Sequence, residues 1–383
     1  MTHHSPRTSA PCVVRRTNRN GLALPAAIFT LAVIVLFIAG SAFTAGQEAR
    51  ASSGSLAERV ALEAAEFGAT AVLRDWQASW NVAVPVGHTL GPWTHALAGN
   101  AGATVRLTRT GITTWWVVSE GTAGGTHARR TARRTVNTAL RLDLPPDAMA
   151  AALGVADSAR VTGSGAVIGS DSVEFAPTCL LTPLDVAGVA AADTMRVCDG
   201  GCGTAGARII GLPPLSHDST VSSRAATLAA RLAVDLTIPA GAIVTPSPVV
   251  TAGACDTLNV ANWGDPGGNG ACAAYFPVVR ALGDVTIRGG TGQGIIVAAG
   301  DVTFEQGARF AGLVVAGDDF VTGSGGAIVI GAVLAADVRR GPGDHSTVSD
   351  GGMIRRSACR LRQARLAAAP PMRIRERWWS EFE

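Results

Sequence analysis

The chain has 383 residues, enough for two or three domains each with its own core. Charged residues are only 16 % and aromatics 5 %, while glycine reaches 46 residues, so apolarity comes from Ala and Val and favours thin stacked β-structure over a large helical core. Lysine and arginine together number 32 and every one is arginine, which excludes a Walker lysine, a Schiff-base lysine and a Ser-Lys dyad. A net charge of +3 gives no footprint for a nucleic-acid partner.

In chain order, the first element is an apolar run. From Leu22 to Phe43 there is no charged residue, and about 22 residues as a helix rise roughly 33 Å, the thickness of a bilayer. Arg7, Arg15, Arg16 and Arg19 precede it, which keeps that end cytoplasmic and exports the rest. Two processing routes are compatible with these residues. Gly40-Ser41-Ala42 offers small residues for a secretory cut, whereas Asn20-Gly21 precedes the whole anchor. The basic leader ending in Gly21, followed by Leu22-Ala23-Leu24 and the apolar run, resembles a type IV prepilin signal. That resemblance implies cleavage between Gly21 and Leu22 by a prepilin peptidase, with the helix kept as an anchor through Leu22, Pro25, Ala26 and Phe43. Ala26 stands where major pilins carry a glutamate. Minor components of the PilX kind and the K-type pseudopilin of type II secretion also lack that glutamate. Pro25 falls in the first helical turn, where an N–H has no intrahelical acceptor.

Beyond the anchor, "SLAERVALEAAEFGATAVLRDW" places Leu56, Val60, Ala64, Phe67 and Ala71 at helical spacing, with Ser55 and Glu58 as a capping box. We expect a leader over 1–21, a transmembrane helix over 22–44 and an amphipathic helix over 45–80. A small antiparallel meander follows over 81–146, its strands reading from about Thr104 to Leu144, with Trp115 and Trp116 on opposite faces.

Pro145 and Pro146 mark a boundary. Past them, "LGDVTI", "AGDVTF" and "AGDDFV" recur about every 17 residues, and "VTGSGAVIG" at Val161 echoes "VTGSGGAIVIG" at Val321. Short β-branched triplets between Gly-Asp or Gly-Ser corners predict a β-solenoid over 147–353, interrupted by a cysteine-containing insertion over about 176–277. Asp284, Asp301 and Asp318 are expected to stack at one corner and serve the turn. The fold class is therefore mainly β with a long N-terminal helix, a meander and a β-helix-like domain. A basic and aromatic cap closes the chain over 354–383.

Cys179, Cys198, Cys202, Cys255, Cys272 and Cys359 all lie on the exported side and are disulfide candidates; Cys255 with Cys272 is the pair expected, because the two bracket "NWGDPGGNG". A zinc site on Cys198, Cys202 and His217 lacks the usual spacing. No metal or other cofactor and no catalytic residue is expected; Asp265 is the acidic residue a carbohydrate-active enzyme would use.

The solenoid stretch from Gly292 also resembles the C-terminal region of PilX-like pilus assembly proteins. The two resemblances imply a single-pass inner-membrane protein with a periplasmic or surface head. Its role would be that of a minor pilin or pseudopilin in filament initiation or at the tip, with other pilin or pseudopilin subunits as partners. The alternative is an anchored or secreted β-solenoid that binds or cleaves polysaccharide.

Overall fold

The computed structural model describes residues 23–124, 131–146, 150–171, 185–203, 206–268, 270–338 and 345–374. The leader, Gly21, Leu22, Cys179 and the aromatic end of the chain lie outside the described residues.

The anchor and the amphipathic segment form one helix, α1, over Ala23–Arg74. No cap separates them. Ser55 sits in mid-helix and its hydroxyl donates back to the Ser52 carbonyl at 2.9 Å, so the expected capping box is not used. Of the predicted face, Ala64 and Ala71 are buried and Val60 is partly buried, but the two bulkiest members are not. Ala61, Ala64, Ala65, Gly68, Ala69, Ala71 and Val72 are covered, whereas Leu56 and Phe67 are 62 % and 41 % exposed. Small side chains win this face because the helix lies close on a sheet. A Cβ on Gly121 would come within 1.9 Å of the Ala61 carbonyl oxygen, so only glycine permits the approach.

That sheet is an antiparallel meander of β1 (Thr89–Leu97), β2 (Ala101–Arg109), β3 (Thr114–Ala123) and β4 (Ala132–Leu142). β1 escapes a sequence reading because Gly91 and Pro92 interrupt it, and the pairing with β2 shifts register between Leu90 and Trp93. Trp115 is buried and its neighbour Trp116 faces the other way and is partly exposed. The short strand Pro371–Arg373 returns to pair with β4, so the end of the chain completes the sheet.

The rest of the head consists of two parallel sheets between which the chain alternates. The broader one stacks Leu236–Ile238, Val278–Ala281, Thr291–Ala298, Arg309–Ala316 and Ile328–Ala335. The other stacks Ala242–Val244, Val285–Arg288, Val302–Glu305, Phe320–Thr322 and Ser346–Val348. Ile287, Ile296, Phe304, Phe310, Val314, Phe320 and Val329 fill the space between them. Halfway along each long strand the same glycine recurs in register, Gly294 beside Gly312 beside Gly331, with φ of +115°, +142° and +149°. A Cβ on Gly312 would sit 2.0 Å from the Gly294 carbonyl oxygen, which is why each long strand carries glycine at this column.

The stacking order is not the chain order. Ala151–Val155 and Ala159–Val161 lie beyond the last C-terminal strands, pairing with Val333–Ala335 and Ser346–Val348. The two Val-Thr-Gly-Ser-Gly echoes thus flank the same strand, one on each side. The segment 176–277, expected as an insertion, supplies strands to both sheets: Ala187–Ala191 pairs with Ala151–Val155, Val197–Cys198 with Ala159–Arg160, and residues 236–244 form the opposite edge. Its strands are two to five residues long, too short to show a period.

The helix Val221–Arg231 spans between the two ends along the outer face of the broad sheet, burying Val221, Ala225 and Leu228. Beside it lies the helix Ala358–Ala367, expected at the end of the stack but packed instead by Leu361, Ala364 and Ala367 on Ile295, Leu313 and Leu334. With both faces covered, "IIVA", "LVVA" and "AVLA" read as unbroken apolar runs.

Candidate functional site

The first half of α1 touches nothing else in the described structure. Leu24, Phe29, Leu36, Phe37 and Phe43 are each more than two-thirds exposed, and the most apolar 18-residue window has a mean hydropathy of 2.5 with none of it buried. Apolar surface left in water costs roughly 25 cal/mol per Å², and this bare face is large. Its few polar side chains are satisfied within the helix. Thr30 donates to the Ala26 carbonyl, Ser41 to Ile38 at 2.9 Å and Thr44 to Ser41 at 3.0 Å. Pro25 falls in the first turn, and Ala26 is exposed on the helix surface. One helix long and apolar enough to cross a membrane is therefore present near the N-terminus.

The described cysteines are structural. Cys255 is bonded to Cys272, the pair expected, and Cys198 is bonded to Cys202, which replaces the zinc reading; Cys359 is disulfide-bonded as well. The Cys255–Cys272 loop is fixed from within by buried Asn262, whose amide donates to the carbonyls of Asp256 at 2.7 Å and Val249 at 3.1 Å. Gln293, in the neighbouring strand, donates to the carbonyls of Ala273 at 2.9 Å and Tyr275 at 3.1 Å and ties the loop to the stack.

Asp265 is committed to its own turn. Its two carboxylate oxygens accept the N–H groups of Gly267 at 2.9 Å and Gly270 at 3.1 Å. The corner aspartates also work on the backbone. Asp284 accepts the N–H of Asp301 at 2.9 Å, and Asp301 accepts that of Asp319 at 3.1 Å, so the member aligned with Asp301 is Asp319 and not Asp318. Burial, followed by the nearby charges of Asp337, Asp318 and Asp301, pushes the Asp319 carboxyl up to about 7, while a hydrogen bond from Ser346 opposes the rise. Among the described residues no three of His, Cys, Asp or Glu are arranged to hold a metal ion. Arg133 and Arg134, part of a basic stretch, pair with Glu120 and Glu58 at 2.8 Å each.

One cluster was not singled out by the sequence reading. Trp76 packs edge-on against Trp80 and against buried Trp115, and Trp80 stacks on Trp93. The signal was present as Trp76 and Trp80 four residues apart, but Trp93 lies in the strand that the sequence reading missed.

No protein-family profile matches the chain, and no curated protein matches it. Among solved structures, the chain is similar to the competence-associated pilin ComZ from Thermus thermophilus, with 10 % sequence identity and a TM-score of 0.23 over 83 % of this chain and 96 % of that one. A TM-score of that size settles neither the fold nor the role of the present chain.

Proposed function

We propose that this chain is a pilin-like structural subunit whose α1 spans the inner membrane once and whose head stands in the periplasm or on the cell surface. The observation that carries the reading is the continuity of α1. A bare apolar half runs without a break into a half packed by alanine and glycine on the meander, so an anchor and a head share one rigid rod. In this reading the two parallel sheets are the walls of a β-solenoid, since the chain alternates between them with a near-constant repeat and keeps register from one strand to the next.

The finer assignment is a minor pilin or pseudopilin of the PilX or K type, partnered by other pilin or pseudopilin subunits and matured by a prepilin peptidase. Ala26 in place of a glutamate supports a place at filament initiation or at the tip, because that position offers no carboxylate to a neighbouring terminal amine. We further propose that the head has no catalytic role; the two carboxylate oxygens of Asp265, its one acidic candidate, are already held by the turn.

The test is the N-terminal mass of the protein recovered from membranes of its own host. A mature species beginning at Leu22 is expected. A start near Phe43, or an intact Met1, would overturn prepilin processing and with it the filament reading.

A further inference from the structure

An open cleft of about 260 Å³ lies where the end of α1 meets β1. Its walls include Trp80 and Trp93, whose rings stack at 5.5 Å with 23° between their planes. Hydrogen-bonding residues lie around them: Asp75, Gln77 and His95, with Thr94 contributing strand backbone because its side chain alternates to the other face of β1. The aromatic wall is fixed in place from below. Trp76, edge-on to Trp80 at 5.4 Å, donates its indole N–H to Asn81 at 3.1 Å; fully buried Asn81 in turn donates to the carbonyls of Leu366 at 2.8 Å and Ala369 at 3.0 Å. His95 is oriented by Phe67, edge to face at 6.0 Å. An aromatic surface held this firmly is pre-organised, which lowers the ordering cost that binding would otherwise carry.

The charge pattern narrows the ligand. Asp75 is the one carboxylate on the cleft, and Arg74 grips it with two hydrogen bonds of 2.9 and 3.0 Å, so the pair offers acceptors and donors without net charge. A cation gains nothing at a neutralised carboxylate. An uncharged ligand with one apolar face and several hydroxyls fits both features, since its C–H groups pack on the negative face of an indole while its hydroxyls meet the polar rim. The volume is below that of a drug-sized pocket and suits a single sugar ring.

We propose that this cleft binds a neutral pyranose, as a free sugar or as one residue of a glycan, against the Trp80–Trp93 stack, with Asp75, Gln77 and His95 as hydroxyl partners. The inference rests on the head alone and does not depend on the filament reading.

The full chain, kept in a polyoxyethylene detergent that carries no sugar, would be applied to a glycan array, and a retained neutral glycan would be titrated by calorimetry. Saturable binding is expected, weakened about tenfold or more by Gln77→Ala and by Trp93→Ala. Gln77 is exposed and its side chain supports no other part of the fold, so the first variant reports on binding even where the second disturbs β1. Retention of no neutral glycan would overturn the proposal. So would glycan binding that survives both substitutions, or saturable binding of choline chloride in place of sugar. None of these results bears on where the N-terminus is cut, so the two readings stand or fall separately.

Discussion

The two halves of α1 are one helix with two kinds of surface. In the first half leucine, isoleucine and phenylalanine stand among alanines and glycines, and nothing in the described structure covers them; in the second the covered side chains are alanine, glycine and one valine. Size follows the surroundings. A sheet that approaches a helix closely enough to place Gly121 under the Ala61 carbonyl leaves no room for a leucine, whereas lipid accommodates any apolar shape. Burial on the sheet is thus set here by fit, whereas the bare half shows apolarity without that selection for size.

Three changes would break or sharpen that contrast. The largest effect is expected for Gly121→Leu, which drives a side chain into backbone and should destabilise the head by about 4 kcal/mol, above the usual overpacking range. Thermal unfolding of the detergent-held chain would show it, and an unchanged midpoint would mean that the helix does not lie where described. Next comes Ile34→Arg, midway along the bare half, at a cost of about 3 kcal/mol for insertion. Alkaline carbonate extraction should then release the protein from membranes while the thermal midpoint of the head stays as it was. If neither changed, the first half would not be the span.

The smallest effect per unit change is internal to the head. Asp319 binds its proton more tightly when folded than unfolded, so below about pH 4 both states are protonated and the site is neutral in effect. As pH rises from there towards 7 the unfolded chain gives up its proton first, and stability falls by no more than about 1.4 kcal/mol per pH unit. Asp319→Asn should flatten this dependence, as read from denaturant midpoints at a series of pH values. A slope unchanged by the substitution would place the titrating group elsewhere.

Much of this architecture was legible because it repeats or because it is extreme. The apolar run of the anchor needs no context to be read. The Gly-Asp corners gave the strand positions of the late repeats, and their pairing followed in register, Val285 beside Val302 beside Phe320. What stayed hidden was order and face. Strands of two or three residues such as Val197–Cys198 carry no period, so the way residues 187–244 build both edges of the stack could not be read. Leu56 and Phe67 drew attention on the second half of α1 because they are bulky, yet the close sheet selects the alanines beside them. The doubled aspartate at 318 and 319 leaves the corner ambiguous by one residue, and only the pairing of Val302 with Phe320 resolves it. For the aromatic cleft, the missing link was β1, whose glycine and proline conceal the strand that carries Trp93.

The inverted stacking order sets a timetable. Residues 151–161 are synthesised early, yet their neighbours in the two sheets are Val333–Ala335 and Ser346–Val348, and β4 waits for Pro371–Arg373. Long-range parallel pairing of this kind is slow to form because the intervening loop must close before any contact rewards it. The first strands to arrive therefore remain open until the last have been delivered. Closure of the head needs every strand up to Pro371–Arg373, and a chain cut short before that strand lacks the piece that completes the meander.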